Sequence, residues 1–185
     1  MKLIAIGASA GGPAALAEVL GGLPKDFGAA VVVVQHVDQR MAQGMAEWLG
    51  GQSSLPVRVA GEGDRPSAGI VLLAATNDHL ILKTADRLGY SPDPVSCVYR
   101  PSVDAFFQSV GERWRGEVVG VLLTGMGRDG AQGLKLLRNQ GRHTIAQDEH
   151  TSAVYGMPKA AAKLDAAVDV LPLTRIAPRL VTLVG

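Results

Sequence analysis

Met1-Lys-Leu-Ile-Ala-Ile-Gly-Ala-Ser-Ala-Gly-Gly-Pro13 is the stretch whose reading decides the fold. Leu3 to Ile6 form a short apolar run closed by Gly7, the pattern of a buried parallel strand, and Pro13 suits the first residue of a helix. Between them lies a turn of small residues. Gly7, Gly11 and Gly12 permit a tight backbone path, and Ser9 supplies the one reactive side chain. The spacing is Gly-x-Ser-x-Gly, that of a nucleophile elbow, in which a sharp strand-to-helix turn lifts a hydroxyl beside free helix N–H groups. A phosphate-cradling or purely structural βα turn fits the same residues. The nucleotide readings, however, lack their other parts. A dinucleotide fingerprint needs Gly where Ser9 stands and an acid near the end of the second strand, which here closes on Gln35-His36; the Gly-Lys-Ser/Thr of a P-loop is absent.

Outward from that turn, Leu16, Val19 and Leu20 share one helical face and Gly21-Gly22 stop the helix. Ala29 to Val34 is an unbroken apolar, largely β-branched run, as a strand buried on both faces requires. Strand, helix and strand make a right-handed βαβ unit, and ligands of such sheets bind beyond the carboxyl ends of the strands. Ser9 and His36 are therefore expected on one rim. Met41, Met45, Trp48 and Leu49 recur at helical spacing and are read as core. Pro56 to Ala60 reads as a short strand. Ile70 to Ala74 and His79 to Lys83 read as two strands of an edge hairpin about Thr76-Asn77-Asp78, with His79 structural. Asp86 to Val98, interrupted by Gly89, Pro92 and Pro94, reads as a loop over the rim.

In the second half, Ser102 is placed to N-cap a helix whose apolar face is Val103, Phe106, Phe107, Val110 and Trp114. Val118 to Thr124 is the next buried strand, followed at once by Gly125-Met-Gly-Arg-Asp-Gly130. Asp129, the only acid of that turn, is either an N-cap for the helix from Ala131 to Gln140 or a functional carboxylate on the rim. A strand over His143 to Gln147, a helix from Pro158, a strand over Ala167 to Leu171 and a helix over Ile176 to Val184 complete the alternation. The fold class is α/β: a doubly wound, mostly parallel sheet with an antiparallel edge hairpin, in three αβα layers.

Composition narrows the function. At 185 residues the chain fits one domain. A net charge of +1 gives no support for a nucleic-acid partner or an anionic membrane surface. The single Cys97 excludes an intramolecular disulfide and a cysteine-based metal site, and reads as a buried small residue or a surface thiol. The glycines at 7, 11 and 12 interrupt the opening run too early for a signal peptide, and no stretch reads as a membrane span. A cytoplasmic protein with no membrane insertion is expected.

Three rim turns thus carry Ser9, His36 and Asp129, each just after a strand. Acyl transfer needs this trio: a hydroxyl to attack, an imidazole to take its proton, and a carboxylate to fix the tautomer and stabilise the imidazolium. Glycine-rich turns can aim N–H groups at the oxyanion. No metal or other cofactor is required, and no metal-ligand cluster is visible. The order Ser, His, Asp differs from those of α/β-hydrolases, subtilisin and chymotrypsin.

Ile6-Gly-Ala-Ser-Ala-Gly-Gly12, Val34-Gln-His36, Arg100-Pro-Ser-Val-Asp104, Leu123-Thr-Gly-Met-Gly-Arg-Asp-Gly130 and Ala146-Gln-Asp-Glu with Val154-Tyr-Gly-Met-Pro158 together resemble the catalytic domain of the CheB-type chemotaxis protein-glutamate methylesterases. The resemblance spans nearly the whole chain, five separated motifs in order. It implies Ser9 as nucleophile, His36 as general base and acid, Asp129 as orienting carboxylate, and the backbone N–H of Met126 as oxyanion donor; the neighbouring Ala10 N–H is expected as a second donor from its place beside the nucleophile. It implies as substrate a glutamate γ-methyl ester on a methylated chemoreceptor; a glutamine amide could enter the same path and lose ammonia, so deamidation is expected as a second activity. Arg100 is a candidate for holding a receptor carboxylate or for pinning the loop before Ser102. Two departures stand out. Many relatives carry threonine where this chain has Ala10, and members usually have an N-terminal phosphorylatable receiver domain. The expected organisation is therefore one catalytic domain over 1–185 without a receiver domain, either stand-alone or excised.

Overall fold

A computed structural model describes residues 1–185. The elements in chain order are β1 (Lys2–Ala8), α1 (Gly12–Gly21), β2 (Ala29–Gln35), α2 (Gln39–Gln52), β3 (Val57–Val59), β4 (Val71–Leu73), β5 (His79–Leu82), β6 (Leu88–Ser91), α3 (Val103–Arg113), β7 (Glu117–Leu122), α4 (Ala131–Asn139), β8 (His143–Gln147), α5 (Met157–Lys163), β9 (Asp169–Leu171) and α6 (Leu173–Val184). Seven strands form one parallel sheet in the order β3-β4-β2-β1-β7-β8-β9. The apolar runs form its centre: β1 sets Ala8 opposite Gln35 of β2 and Gly7 opposite Leu122 of β7. From β1 the chain steps to β2, then to β3 at the edge and back to β4 between them, before returning to lay β7 on the other side of β1. The direction of winding reverses there, which in open α/β sheets opens a crevice at the carboxyl ends of the strands.

Alternation along β1 divides the core. Leu3 and Ala5 pack with Phe106, Phe107, Leu134 and Met157 from α3, α4 and α5, while Ile4 and Ile6 pack with Leu16, Val19, Leu49 and Leu180 from α1, α2 and α6. That is the three-layer αβα arrangement expected of a parallel sheet buried on both faces.

Three expectations need correction. The antiparallel hairpin is formed by β5 and β6, pairing Ile81 with Gly89, whereas β4 belongs to the parallel sheet beside β2. The Thr76-Asn77-Asp78 turn therefore leads out of the sheet, and the two-stranded unit packs against α3 on one face. Within the stretch read as loop, Leu88 to Ser91 form β6, because Leu88 is buried in that core. On α2, finally, Met41 and Trp48 are exposed, and the buried face is Ala42, Ala46 and Leu49. Both stripes have the same helical spacing, and small side chains let this helix approach the sheet closely. Periodicity alone fixed the period but not the phase.

Candidate active site

Ser9 directly follows β1 and is almost fully buried at 7% exposure. Its N–H donates to the Thr124 carbonyl (3.0 Å), and its own carbonyl accepts from Gly12 N–H (2.7 Å) and from the Gln35 side-chain amide (2.7 Å). Gly11 then takes a left-handed conformation (φ 77°) as the N-cap of α1, which a side chain there would strain. The hydroxyl is thus held at the strand end. Its Oγ accepts from the Met126 backbone N–H (2.9 Å) and lies 3.2 Å from Met157 Sδ, to which its proton is directed. Gly125 makes room for this: a Cβ there would collide with both Ser9 Oγ and Met157 Sδ. Thr124 ties the two turns together, donating from Oγ1 to the Ala10 carbonyl (3.0 Å) and accepting from Val154 N–H (2.9 Å).

His36 follows β2, and its Nε2 lies 2.7 Å from Asp129 Oδ2. Asp129 stands beyond β7 and is saturated with donors. Oδ2 also accepts from Val103 N–H (2.7 Å), and Oδ1 accepts from Ser102 Oγ (3.0 Å) and Asp104 N–H (2.9 Å). These donors form the N-terminus of α3, so Asp129 does not cap the helix that follows it; Gly130 does, at φ 92°. Burial pushes the Asp129 carboxyl up, but the hydrogen bonds from His36, Asp104 and Val103 outweigh it and hold the group below its ordinary value. An ionised carboxylate can only accept, so Nε2 of His36 carries the proton. In neutral His36 the lone pair is then on Nδ1.

The structure therefore brings His36 and Asp129 into contact and places Ser9 and Met126 together on the same rim. No hydrogen bond joins Ser9 to His36 in this state; the serine hydroxyl donates to Met157 Sδ instead. The Ala10 N–H donates to no group of the protein. Arg100 sits in the loop before Ser102, donates from Nη2 to the Val95 carbonyl (2.9 Å) and, with His36, Asp38, Asn77 and Tyr99, lines a hollow of about 360 Å³. Distance alone does not define the site. A second His–Asp pair, His143 Nε2 to Asp169 Oδ2 at 2.7 Å, lies at the starts of β8 and β9, the opposite end of the sheet, and is shared with Arg179.

A family profile described as CheB methylesterase matches residues 4–180. The chain belongs to the CheB methylesterase family. It is 68% identical over 184 residues to a Cupriavidus metallidurans protein named protein-glutamate methylesterase/protein-glutamine glutaminase 2, the match covering 100% of this chain and 54% of that protein. A Burkholderia lata protein of the same name, numbered 1, is 66% identical over 181 residues, covering 98% of this chain and 54% of its own length. The chain thus spans about half the length of these curated relatives. A crystal structure of the Thermotoga maritima CheB methylesterase catalytic domain superposes with a TM-score of 0.91 at 36% identity, covering 99% of this chain and 98% of that one.

Several residues that position these turns lie within the quoted motifs, but no role for them is legible in the sequence. Gln35 clamps the carbonyls of Ser9 and His36, Thr124 joins three segments, and Met157 Sδ accepts the serine hydroxyl's hydrogen bond. His79, fully buried, accepts from Ser102 N–H on Nδ1 (3.0 Å) and so donates from Nε2 to the Pro94 carbonyl (3.0 Å). Its structural reading holds, though it supports the donors of Asp129.

Asp104 is a second carboxylate beside Asp129. Its Oδ1 accepts from Gly133 N–H (2.8 Å), and it is pushed up to about 6, first by burial and then by the charge of Asp129. Between the ordinary aspartate value of about 3.9 and about 6, the folded protein holds a proton that the unfolded chain has released, so this group's contribution to stability falls as pH rises. Asp104→Asn keeps the acceptor for Gly133 and removes the titration. Its urea midpoint should exceed that of the parent at pH 8, and the two should converge near pH 4. A gap that stays constant from pH 4 to pH 8 would contradict the assignment.

Proposed function

We propose that this chain is a protein-glutamate methylesterase, hydrolysing glutamate γ-methyl esters on the cytoplasmic helices of a methylated chemoreceptor or a related methyl-accepting protein through Ser9, His36 and Asp129. The observation that carries the reading is the rim itself: Asp129 fixes the tautomer of His36 while the Met126 N–H already points at Ser9 Oγ. The names of the relatives support the same chemistry.

On this reading the ester carbonyl oxygen enters between the N–H groups of Met126 and Ala10, displacing Ser9 Oγ from the former. Ser9 turns from Met157 and gives its proton to His36 Nδ1 as Oγ bonds to the carbonyl carbon. Asp129, held ionised by its four donors, stabilises the imidazolium. The two backbone donors stabilise the oxyanion. Collapse breaks the bond to methoxide, which leaves as methanol with the proton from His36. Water, deprotonated by the same Nδ1, then attacks the acyl-enzyme, releasing glutamate and restoring the serine hydroxyl. A glutamine amide follows the same path and loses ammonia, in keeping with the glutaminase in the relatives' names.

The whole catalytic constellation falls within one domain over 1–185, acting in the cytoplasm where the substrate helices lie; no helix is long and apolar enough to cross a membrane. Arg100, on the hollow beside His36, is the candidate for holding a receptor carboxylate. A receiver domain is a candidate partner. Turnover of p-nitrophenyl esters against methylated receptor tests the substrate class. Hydrolysis of the receptor ester with little turnover of the small esters supports the reading, and rapid turnover of the small esters with none on receptor replaces it with a general small-ester hydrolase. Receptor binding without turnover of either would mark a non-catalytic signalling module.

A further inference from the structure

Tyr99 lies flat against the imidazole of His36, with ring centroids 4.5 Å apart and planes inclined by only 7°. The side chain is partly exposed, so burial of its own apolar surface does not account for its place. The loop that carries it is anchored instead. His79 donates to the Pro94 carbonyl near the start of the loop and accepts from Ser102 N–H at its end, Cys97 N–H donates to the Pro94 carbonyl (3.3 Å), and Arg100 donates to the Val95 carbonyl (2.9 Å). Across the rim the phenol reaches Gly127, whose φ is 83°; a Cβ there would lie 2.7 Å from Tyr99 Oη. One ring therefore covers a face of His36 and extends to the turn that presents the Met126 N–H.

Two consequences follow from this geometry. A flat ring at stacking distance blocks rotation of the imidazole about its Cβ–Cγ bond, a rotation that would carry Nε2 away from Asp129 and Nδ1 away from the rim. The negative π face of a phenol also favours a cation over a neutral ring. Imidazole becomes imidazolium only as the serine proton arrives, so that attraction is strongest in the transition state.

We propose that Tyr99 is a positioning residue for His36, holding the imidazole plane and stabilising the imidazolium through its ring rather than its hydroxyl. The proposal rests on the reading of His36 as general base. Two variants of the full chain separate ring from hydroxyl. Tyr99→Phe should keep kcat on methylated receptor within about twofold of the parent, whereas Tyr99→Leu should lower kcat about tenfold with KM little changed. Parent-like kcat in Tyr99→Leu overturns the proposal. So does a fall in Tyr99→Phe as large as that in Tyr99→Leu, or a rise in KM at constant kcat, which would make Tyr99 a substrate contact. Proton NMR of the His36 ring gives a readout independent of turnover. Upfield ring-current shifts present in the parent and in Tyr99→Phe and absent in Tyr99→Leu support the stack; their absence from the parent overturns it. Shifted resonances in a parent that hydrolyses no ester would overturn the assignment of the base, and the role of Tyr99 with it, while leaving the stack standing.

Discussion

Asp129→Asn should lower kcat for ester hydrolysis by about 10⁴-fold, and it should also destabilise the fold at neutral pH. The carboxylate accepts four hydrogen bonds from Ser102 Oγ, Val103 N–H, Asp104 N–H and His36 Nε2. An amide has one accepting end. With its oxygen toward Ser102 and Asp104, its NH₂ confronts the Val103 N–H, and His36 must move its proton to Nδ1 to accept at Nε2. The nitrogen facing Ser9 is then protonated and cannot take the hydroxyl proton. With the amide flipped, the NH₂ confronts the Asp104 N–H instead. Each buried donor left without an acceptor costs about 1–3 kcal/mol. Because the Asp129 pKa is depressed in the fold, its stabilisation is complete above the ordinary aspartate range and is lost as pH falls through the folded value. The stability gap between parent and variant should therefore be full at pH 7 and shrink in acid. Steady-state kinetics and urea unfolding at both pH values check the two halves.

Ser9→Ala should have the largest effect on turnover, a loss of about 10⁶-fold in kcat, with the fold retained. Its Oγ hydrogen-bonds only the Met126 N–H and Met157 Sδ, so the substitution loses a single hydrogen bond to the backbone. The backbone bonds that build the turn, Ser9 N–H to Thr124 and Gly12 N–H to Ser9, do not involve the hydroxyl. Nucleophile, base and carboxylate act as one unit, so adding Asp129→Asn to Ser9→Ala should cost almost nothing further. A double variant much slower than Ser9→Ala would show that Asp129 acts outside the serine pathway. Thermal unfolding of the single variant, within a few degrees of the parent, excludes misfolding as the cause.

Much of this site was legible because parallel α/β sheets place function at the ends of apolar runs. Leu3 to Ile6, Ala29 to Val34 and Val118 to Thr124 became β1, β2 and β7, adjacent strands whose following residues share one rim. The contacts that decide chemistry were less legible. The two readings of Asp129 separate only when α3, which lies earlier in the sequence, turns its N-terminus toward the carboxylate. Neither the tautomer of His36 nor the resting partner of Ser9 leaves any local pattern. Met41 and Trp48 were misplaced because a helix with apolar residues at 41, 45 and 48 and small residues at 42 and 46 has two stripes of one period, and close packing on the sheet selects the smaller side chains. Leu88 to Ser91 lacked a strand pattern because Gly89 and the flanking prolines masked it, while the hairpin partner His79 to Leu82 supplied the pairing. Tyr99 fell within no motif, and only the folded loop lays it on His36.

Methanol release from receptor membranes carrying glutamate γ-methyl esters, with Ser9→Ala as the blank, tests the central claim most directly. The parent chain should release methanol and leave an equal amount of glutamate on the receptor, and Ser9→Ala should release none above background. A folded parent that releases no methanol from demonstrably methylated receptor, or a Ser9→Ala variant that releases it as fast as the parent, would contradict the account.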